Sequence, residues 1–232
     1  ESGAEFFLVE NGSPFESDKR EVRLQHAVAR VSESGLPLAY VNQVGGQDEL
    51  VFDGGSFVLN GDSSLAAQQP MFVEDILLTE WRREGDGWNV VVTDRVAHPE
   101  GHEATYRAMV LGLRDYVNKN GFPGVVLGMS GGIDSALTAA VAVDALGPDK
   151  VRCVMMPSPY TSGDSLEDAA LAAGMLDVTL DEVGIGPAIS AFNQMLGPVF
   201  GDRPADITEE NIQARSRGLL LMAISNKLGA MV

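Results

Sequence analysis

The fold is decided by the segment 124-GVVLGMSGGIDSA-136. Its apolar run at residues 125–127 is typical of a strand that is covered on both faces in a parallel sheet. The glycines that follow interrupt the strand, because glycine allows positive φ and lets a ligand approach the backbone closely. From Ile133 the apolar residues recur at helical spacing as far as the Gly-Pro pair at 147–148, which stops a helix. The segment therefore predicts a strand, a glycine loop and a helix within an α/β fold.

The glycine loop, residues 128–132, is predicted to bind an anion such as phosphate. Backbone N–H groups and the positive end of the following helix dipole point towards whatever lies above the strand. The Gly-Lys-Ser/Thr of a Walker loop and the Gly-x-Gly-x-x-Gly of a dinucleotide fingerprint are both missing. Ser130 and Ser135 add hydroxyl groups, and the Asp134 carboxylate could hold Mg²⁺ that bridges to a phosphate. The alternative is a glycine-rich turn in which Asp134 only interacts with the helix dipole.

Length and composition indicate one large domain or two modest ones. The 232 residues are 45% hydrophobic and 21% charged, which provides enough apolar content for a core. The net charge of −17, without a basic block, argues against nucleic acid as a partner. Cys153 is the single cysteine, so an internal disulfide framework is excluded and a reducing compartment, the cytoplasm, is expected. No apolar run approaches the ~20 residues that cross a membrane, so no membrane partner is expected.

The pattern along the chain predicts two regions. Residues 1–92 are rich in short apolar runs, residues 93–101 form a linker, and residues 102–232 alternate strand and helix. Within the first region, residues 49–60 are expected to form a hairpin around Asp-Gly-Gly, and residues 71–78 are expected to form a further strand. The alternation in the second region implies right-handed crossovers and an open parallel sheet.

The last helix carries a second set of candidate ligand-binding residues. Thr208 is expected to be its N-cap. Asn211 and Arg215 lie four residues apart and therefore share a helix face. An Asn–Arg pair suits an anionic ligand that accepts hydrogen bonds, because arginine offers a forked, charged donor. The alternative is a solvated helix face with an exposed arginine.

The second region resembles two groups of nucleotide-dependent enzymes. The loop itself resembles the Ser-Gly-Gly-x-Asp-Ser loop of ATP pyrophosphatases, which holds the pyrophosphate half of ATP. A wider set of blocks resembles NAD⁺ synthetases and falls in that family's order. These blocks are 130-SGGIDS-135, 156-MPSPYTS-162, 208-TEENIQARSR-217 and 225-SNK-227.

The resemblance implies an open, doubly wound parallel sheet of the ATP-pyrophosphatase type, similar to adenine nucleotide alpha hydrolases. It also implies that Asp134 is a Mg²⁺ ligand and that Asn211 and Arg215 face deamido-NAD⁺. ATP is implied to bind the loop residues Gly128, Met129, Ser130, Gly131, Gly132, Ile133, Asp134 and Ser135.

The activity that the resemblance implies is the ATP-dependent amidation of deamido-NAD⁺ to NAD⁺. A carboxylate is a poor acyl acceptor for ammonia, since its leaving group would be oxide. Its attack on the α-phosphorus of ATP gives an acyl adenylate and pyrophosphate, and N–H donors and Mg²⁺ would stabilise charge on that leaving group. Ammonia then displaces AMP, so no protein nucleophile is needed. The family further suggests a homo-oligomer in which synthetase domains pair.

The first region resembles the back half of the nitrilase-type glutaminase domain of glutamine-dependent NAD⁺ synthetases. The resemblance is carried by 3-GAEFFLVENGSP-14 and the following Lys19, and it implies a partial α-β-β-α region. Ser13 and Lys19 match the glutamine-contacting pair of that domain. The glutaminase Glu, Lys and Cys are expected upstream of Glu1, in a longer enzyme that supplies ammonia from glutamine. We therefore expect no catalytic residue within the chain, no activity from it alone, and a core role for Cys153.

Two other functions stay open at this point. One is another amidotransferase with the same loop, of the GMP or asparagine synthetase type. The Glu-Asn-x-x-Ala-Arg pattern at residues 210–215 does not belong to those enzymes, so it favours the NAD⁺ synthetase resemblance over this alternative. The other is a nucleotide-binding fragment that performs no reaction.

Overall fold

The chain folds into two compact units that are divided between Tyr116 and Val117. Residues 3–85 and 87–232 are described by the computed structural model. Both units combine helices with strands, so the fold is mixed α/β. The segment predicted as a linker, residues 93–101, lies within the first unit, and the domain boundaries themselves stay a prediction. Within the part of the chain that is described, no helix is both long and apolar enough to traverse a lipid bilayer.

The first unit is organised by a mixed sheet. Its elements are, in chain order, β1 Phe7–Asn11, α1 Lys19–Ser34, β2 Leu38–Asn42, β3 Val44–Gln47, β4 Leu50–Asp53, β5 Phe57–Leu59, β6 Leu65–Gln68, β7 Trp81–Glu84, β8 Gly87–Val90 and α2 Gly101–Lys119, of which residues 101–116 belong to this unit. β1 pairs with β2 in parallel, and β5 joins β2 and β6 in antiparallel fashion, which gives the order β1-β2-β5-β6. Ala27 and Val31 of α1 pack against Leu38 and Tyr40 and cover one face of this sheet.

The predicted hairpin at residues 49–60 is wrong. β4 pairs with β3, whereas β5 pairs with β2 and β6. Gly54 and Gly55 have the positive φ values that a tight turn requires, 66° and 62°. However, Gly54 N–H donates to Gln43 O at 2.9 Å and Gly55 N–H donates to Pro70 O at 3.3 Å. Because both acceptors lie outside the turn, the chain passes from one sheet to another instead of folding back on itself.

The predicted strand at residues 71–78 is also wrong. Met71 forms an isolated bridge with Gly54, and Phe72 has a φ of 64°, which interrupts extended backbone. Met71 and Phe72 are instead buried in a cluster with Ala104 and Ala108 of α2. Packing against the helix therefore overrides the β propensity of this segment.

A buried ion pair fixes the turn after β1 to the sheet. Arg23 Nη1 donates to both carboxylate oxygens of Asp53 at 2.8 Å, and both side chains are buried. Arg23 also donates from Nε to Ser13 Oγ at 3.0 Å and from Nη2 to the carbonyl oxygens of Ser13 and Pro14. Asn42 Nδ2 donates to Asp53 Oδ1 at 3.1 Å. The pair thus has the hydrogen-bond partners that buried charges require.

The second unit is a parallel α/β arrangement, as predicted. Its sheet has the order β11-β10-β9, and the neighbouring strands pair in parallel. Its elements are, in chain order, β9 Val125–Gly128, α3 Ile133–Leu146, a short 3₁₀ turn Pro148–Lys150, β10 Val151–Met155, α4 Gly163–Met175, β11 Thr179–Glu182, α5 Gly186–Phe200 and α6 Ile207–Leu228.

The direction in which the chain crosses this sheet reverses at β9. The chain first moves outward from β9 through β10 to β11. After α5 and α6 it returns to the other side of β9, where Met231 forms a parallel bridge with Val125 and its carbonyl accepts Val126 N–H at 2.7 Å. In open α/β sheets, ligands bind outside the carboxyl ends of the strands at such a reversal. The topology therefore points to the residues that follow Gly128.

The N-cap predicted at Thr208 is wrong by two residues. Asp206 is the N-cap of α6, and its carboxylate accepts a hydrogen bond from Thr208 N–H at 2.8 Å. The Glu209 carboxylate in turn accepts Asp206 N–H at 2.8 Å. This reciprocal capping box satisfies two main-chain N–H groups, which a threonine cap at Thr208 alone would not do.

Replacing Arg23 by alanine is expected to lower the free energy of unfolding of the first unit by about 3–5 kcal/mol, because Asp53 would stay buried without its counter-charge. The matched control is Arg30→Ala on the same helix. Arg30 pairs with Glu33 at the exposed surface, so its loss should cost about 0–1 kcal/mol. Urea denaturation measures both values. Equal losses would contradict the role that we assign to the buried pair.

Candidate functional site

A cavity of about 670 Å³ lies in the second unit where β9 and β10 end. This volume is within the range of about 300–1,000 Å³ that is usual for small-ligand sites. The strand ends contribute residues 128–130 and 155–157, and the loop before α4 contributes residues 160–162. Helix α6 adds Ala214, Arg217, Gly218 and Leu221. The cavity therefore lies at the sheet reversal, beside the glycine loop.

Two serine hydroxyls hold the glycine loop in shape. Ser130 Oγ lies 3.1 Å from Ser135 Oγ and accepts a hydrogen bond from Gly132 N–H at 3.2 Å. Ser135 Oγ donates to Gly132 O at 2.8 Å and accepts Ser130 N–H at 3.2 Å. The loop is therefore preorganised by its own hydrogen bonds, which lowers the entropy cost of binding a ligand.

The first turn of α3 presents main-chain N–H groups towards solvent. Gly132 is the N-cap of this helix and supplies no side-chain hydrogen bond. The first N–H groups of an α-helix have no acceptor within the helix, so those of Ile133, Asp134 and Ser135 are available to a ligand. The Ile133 side chain is 79% exposed, which leaves the start of the helix open. Together with the helix dipole, these groups form a site suited to an anion.

Gly131 lies where no other residue fits. Its φ of 82° is in the left-handed region, and a β-carbon at this position would lie 2.3 Å from the carbonyl oxygen of Ser165 in α4. That oxygen belongs to the backbone and cannot rotate away. The glycine loop and the first turn of α4 are therefore packed main chain against main chain.

The arginines of the last helix have different surroundings. Arg215 Nη1 donates to Asn211 Oδ1 at 2.8 Å, and both residues are exposed and lie outside the cavity lining. Arg217 lines the cavity, and its Nε donates to Met156 O at 3.2 Å. Sequence reasoning noted the charged helix but gave Arg217 no role. Helical geometry is the signal that was missed. Residues two positions apart, such as Arg215 and Arg217, are separated by about 200° around the helix axis and therefore lie on different faces.

A metal ion at the loop would depend on Asp134. Across residues 3–85 and 87–232, no group of three or more His, Cys, Asp or Glu side chains is placed to hold a metal. Asp134 is exposed in the first turn of α3. One carboxylate fits Mg²⁺ in a nucleotide site, where phosphates and water commonly supply the other ligands.

The predicted glutamine-contacting residues of the first unit have separate partners. Ser13 takes part in the buried Arg23 network, both through Oγ and through its carbonyl. Lys19 Nζ pairs with Glu16 at the start of α1. Within residues 3–85 and 87–232, no hydrogen bond or ion pair joins Ser13 to Lys19, so the two residues have separate partners.

Cys153 is a core residue, as expected. It lies within β10 and is fully buried. Burial raises the pKa of the Cys153 thiol to about 11. The reactive thiolate is therefore a negligible fraction at neutral pH.

Comparisons with known proteins agree with this geometry. A family model described as NAD synthase matches residues 105–232. A glutamine-dependent NAD(+) synthetase from Rhodobacter capsulatus is 53% identical over 231 residues, which are 100% of this chain and 42% of that protein. A counterpart from Acinetobacter baylyi is 46% identical over 98% of this chain and 42% of its own length.

A solved structure extends the likeness to three dimensions. The glutamine-dependent NAD⁺ synthetase from Acinetobacter baumannii, in complex with adenosine diphosphate, matches with a TM-score of 0.91 and 47% identity. The match covers 97% of this chain and 43% of that chain. This chain thus spans less than half the length of the relatives that it matches.

Gly131→Ala is expected to destabilise the second unit, because the left-handed φ alone costs about 1–2 kcal/mol and the overlap with Ser165 O adds to it. The control is Gly163→Ala at the start of α4, where a β-carbon would have open space; we expect a change of less than about 1 kcal/mol. Thermal unfolding of both variants measures the difference. If Gly131→Ala is as stable as Gly163→Ala, the proposed close packing is absent.

Cys153 is expected to resist alkylation by iodoacetamide at pH 8 in the folded chain. Its raised pKa keeps the thiol protonated, and burial blocks the reagent. In urea the pKa returns towards its ordinary value of about 8.5, so labelling should become fast. Mass spectrometry of both samples measures this. Rapid labelling of the folded chain would refute a core role.

Proposed function

The chain belongs to the NAD synthase family, and we propose that it is part of an enzyme that converts deamido-NAD⁺ to NAD⁺ with ATP and ammonia. The products would be NAD⁺, AMP and pyrophosphate. Because the chain covers 42% of the relatives' length, the substrates and activity of the whole protein belong to the proposal. The observation that carries it is the preorganised glycine loop at the sheet reversal, beside a cavity of ligand size.

ATP is the proposed ligand of this loop. The relative with a bound adenosine diphosphate supports an adenine nucleotide, and the open N–H groups of α3 suit its phosphates. The finer fold assignment, an open doubly wound ATP-pyrophosphatase domain at residues 102–232, belongs to the same proposal. The proposed nucleotide contacts are Gly128, Met129, Ser130, Gly131, Gly132, Ile133, Asp134 and Ser135.

The proposed chemistry is activation of a carboxylate. An oxygen of the substrate carboxylate forms a bond to the α-phosphorus of ATP while the bond from that phosphorus to the bridging oxygen breaks, and the electron pair leaves with pyrophosphate. Donors already aimed at the leaving group stabilise its growing charge without reorganisation. When bound at Asp134, Mg²⁺ would supply further charge neutralisation there. Ammonia then attacks the acyl carbon and AMP leaves.

Asn211 and Arg215 are the proposed contacts for deamido-NAD⁺. Their mutual hydrogen bond orients the guanidinium, and their exposure leaves them accessible to a large, anionic substrate. Since they lie outside the cavity lining, the proposal gives deamido-NAD⁺ contacts on α6 that are separate from the ATP contacts at residues 128–135.

The first region is proposed to be the back half of a nitrilase-like glutaminase domain, residues 1–92 with a linker at 93–101. Ser13 and Lys19 would contact glutamine, and the released ammonia would serve the synthetase. We further propose a cytoplasmic homo-oligomer. Exposed Leu219 and Met222 on α6 are apolar residues that pairing of synthetase domains could cover.

The decisive experiment uses a polypeptide of the relatives' full length that contains this chain. With ATP, ammonia and deamido-NAD⁺ it should form AMP and NAD⁺. AMP formation with xanthosine monophosphate or aspartate in place of deamido-NAD⁺ would favour the GMP or asparagine synthetase alternative. Nucleotide binding without AMP formation from any acceptor would favour a non-catalytic protein.

Asp134→Ala is expected to weaken binding of MgATP to the chain about tenfold while changing binding of metal-free ATP little, because the carboxylate acts through the cation. The control is Asp168→Ala, which removes an exposed carboxylate from the neighbouring helix in sequence, α4. It should leave both affinities within about twofold. Isothermal titration with and without Mg²⁺ measures the effect. An equal loss with and without the cation would contradict a metal-binding role.

A further inference from the structure

The two Nη groups of Arg217 have no protein partner among the described residues. Its Nε donates to Met156 O at 3.2 Å. Within residues 3–85 and 87–232, no other hydrogen bond and no ion pair of Arg217 is formed, so both Nη groups keep their donors for a ligand. A guanidinium presents five N–H donors in a fixed fork, and the carbonyl bond fixes the direction of that fork.

Other arginines of the second unit have partners for their outer nitrogens. Arg152 pairs with Asp181, Arg203 donates to the carbonyl oxygens of Val199 and Phe200, and Arg215 donates to Asn211. Arg217 is therefore distinguished by its unused donors rather than by its charge.

The cavity is also free of opposing charge. No aspartate or glutamate is among its described lining residues, and Arg217 is the charged residue there. This contrasts with the net charge of −17 on the chain. A half-buried cation in a cavity without carboxylates lowers its free energy by binding an anion, since the local dielectric strengthens their attraction.

Strand register places this cation next to the glycine loop. Val154 of β10 lies opposite Gly128 of β9, and Met129 N–H donates to Val154 O at 2.9 Å. Met156 follows the end of β10, and it lines the same cavity as Met129, Ser130 and Arg217. The residue whose carbonyl anchors Arg217 therefore borders the cavity into which the loop that we propose for the phosphates opens.

We propose that the Nη groups of Arg217 bind the α-phosphate of the nucleotide, while the glycine loop binds the phosphates beyond it. The inference rests on the proposed function, in which this phosphorus is attacked. Arg217 would neutralise charge on the non-bridging oxygens of the α-phosphate as the new bond forms and pyrophosphate leaves. The bidentate geometry of a guanidinium suits two oxygens of one phosphate. Arg217 is then a catalytic residue that the charged motif alone does not reveal.

Binding of AMP and adenosine to the chain separates this role from a structural one, because the two ligands differ only in the α-phosphate. The test variant is Arg217→Met, which keeps an unbranched apolar stem and removes the donors. We expect AMP to bind at least tenfold more weakly, with adenosine affinity within twofold of the unmodified chain. Arg217→Lys should restore part of the AMP affinity, since it keeps the charge but loses the fork.

The matched control is Arg203→Met, an exposed arginine of the same unit outside the cavity lining; it should leave both affinities within twofold. Circular dichroism and the adenosine titration confirm that each variant is folded. If Arg217→Met binds AMP like the unmodified chain, or loses adenosine as strongly as AMP, the phosphate role is refuted while nucleotide binding stands. If the unmodified chain binds neither ATP nor AMP, the proposed function fails and the role of Arg217 fails with it.

Discussion

A β-carbon at residue 131 would lie 2.3 Å from the carbonyl oxygen of Ser165. This steric constraint joins the turn after β9 to the first turn of α4, and it requires the left-handed backbone that glycine adopts without strain. With Gly131 in place, the hydroxyls of Ser130 and Ser135 close the loop from within. The first N–H groups of α3 are then left without internal partners, which is the condition for binding an anion by main chain.

The charge of the chain makes this local arrangement necessary. A net charge of −17 repels an anionic ligand at long range. Backbone dipoles act at short range, close to the first turn of the helix, and do not add net charge. The cavity beside the loop complements them, because its described lining contains Arg217 and no carboxylate. A strongly acidic protein can thereby form a locally positive site where β9 and β10 end.

The sequence predicted what is decided locally and missed what is decided by tertiary contacts. Helix α3 has its predicted bounds, Ile133–Leu146, because glycines mark both ends. The hairpin at residues 49–60 was mispredicted, since the hydrogen bonds of its glycines go to distant carbonyls. The glycine loop is one contiguous segment between β9 and α3, as predicted, and its ligand stays a prediction. The hydrogen bond that orients Arg217 is not predicted, because its acceptor Met156 O is 61 residues away in sequence.

The most direct test of the main-chain phosphate site is nuclear magnetic resonance of the ¹⁵N-labelled chain during titration with inorganic pyrophosphate. Pyrophosphate lacks a base and a sugar, so its binding reports on the phosphate site alone. We expect the largest amide shifts at residues 131–135, because the N–H groups of Ile133, Asp134 and Ser135 would gain acceptors. Saturable shifts centred on any other segment, or no shifts at these amides, would contradict the account.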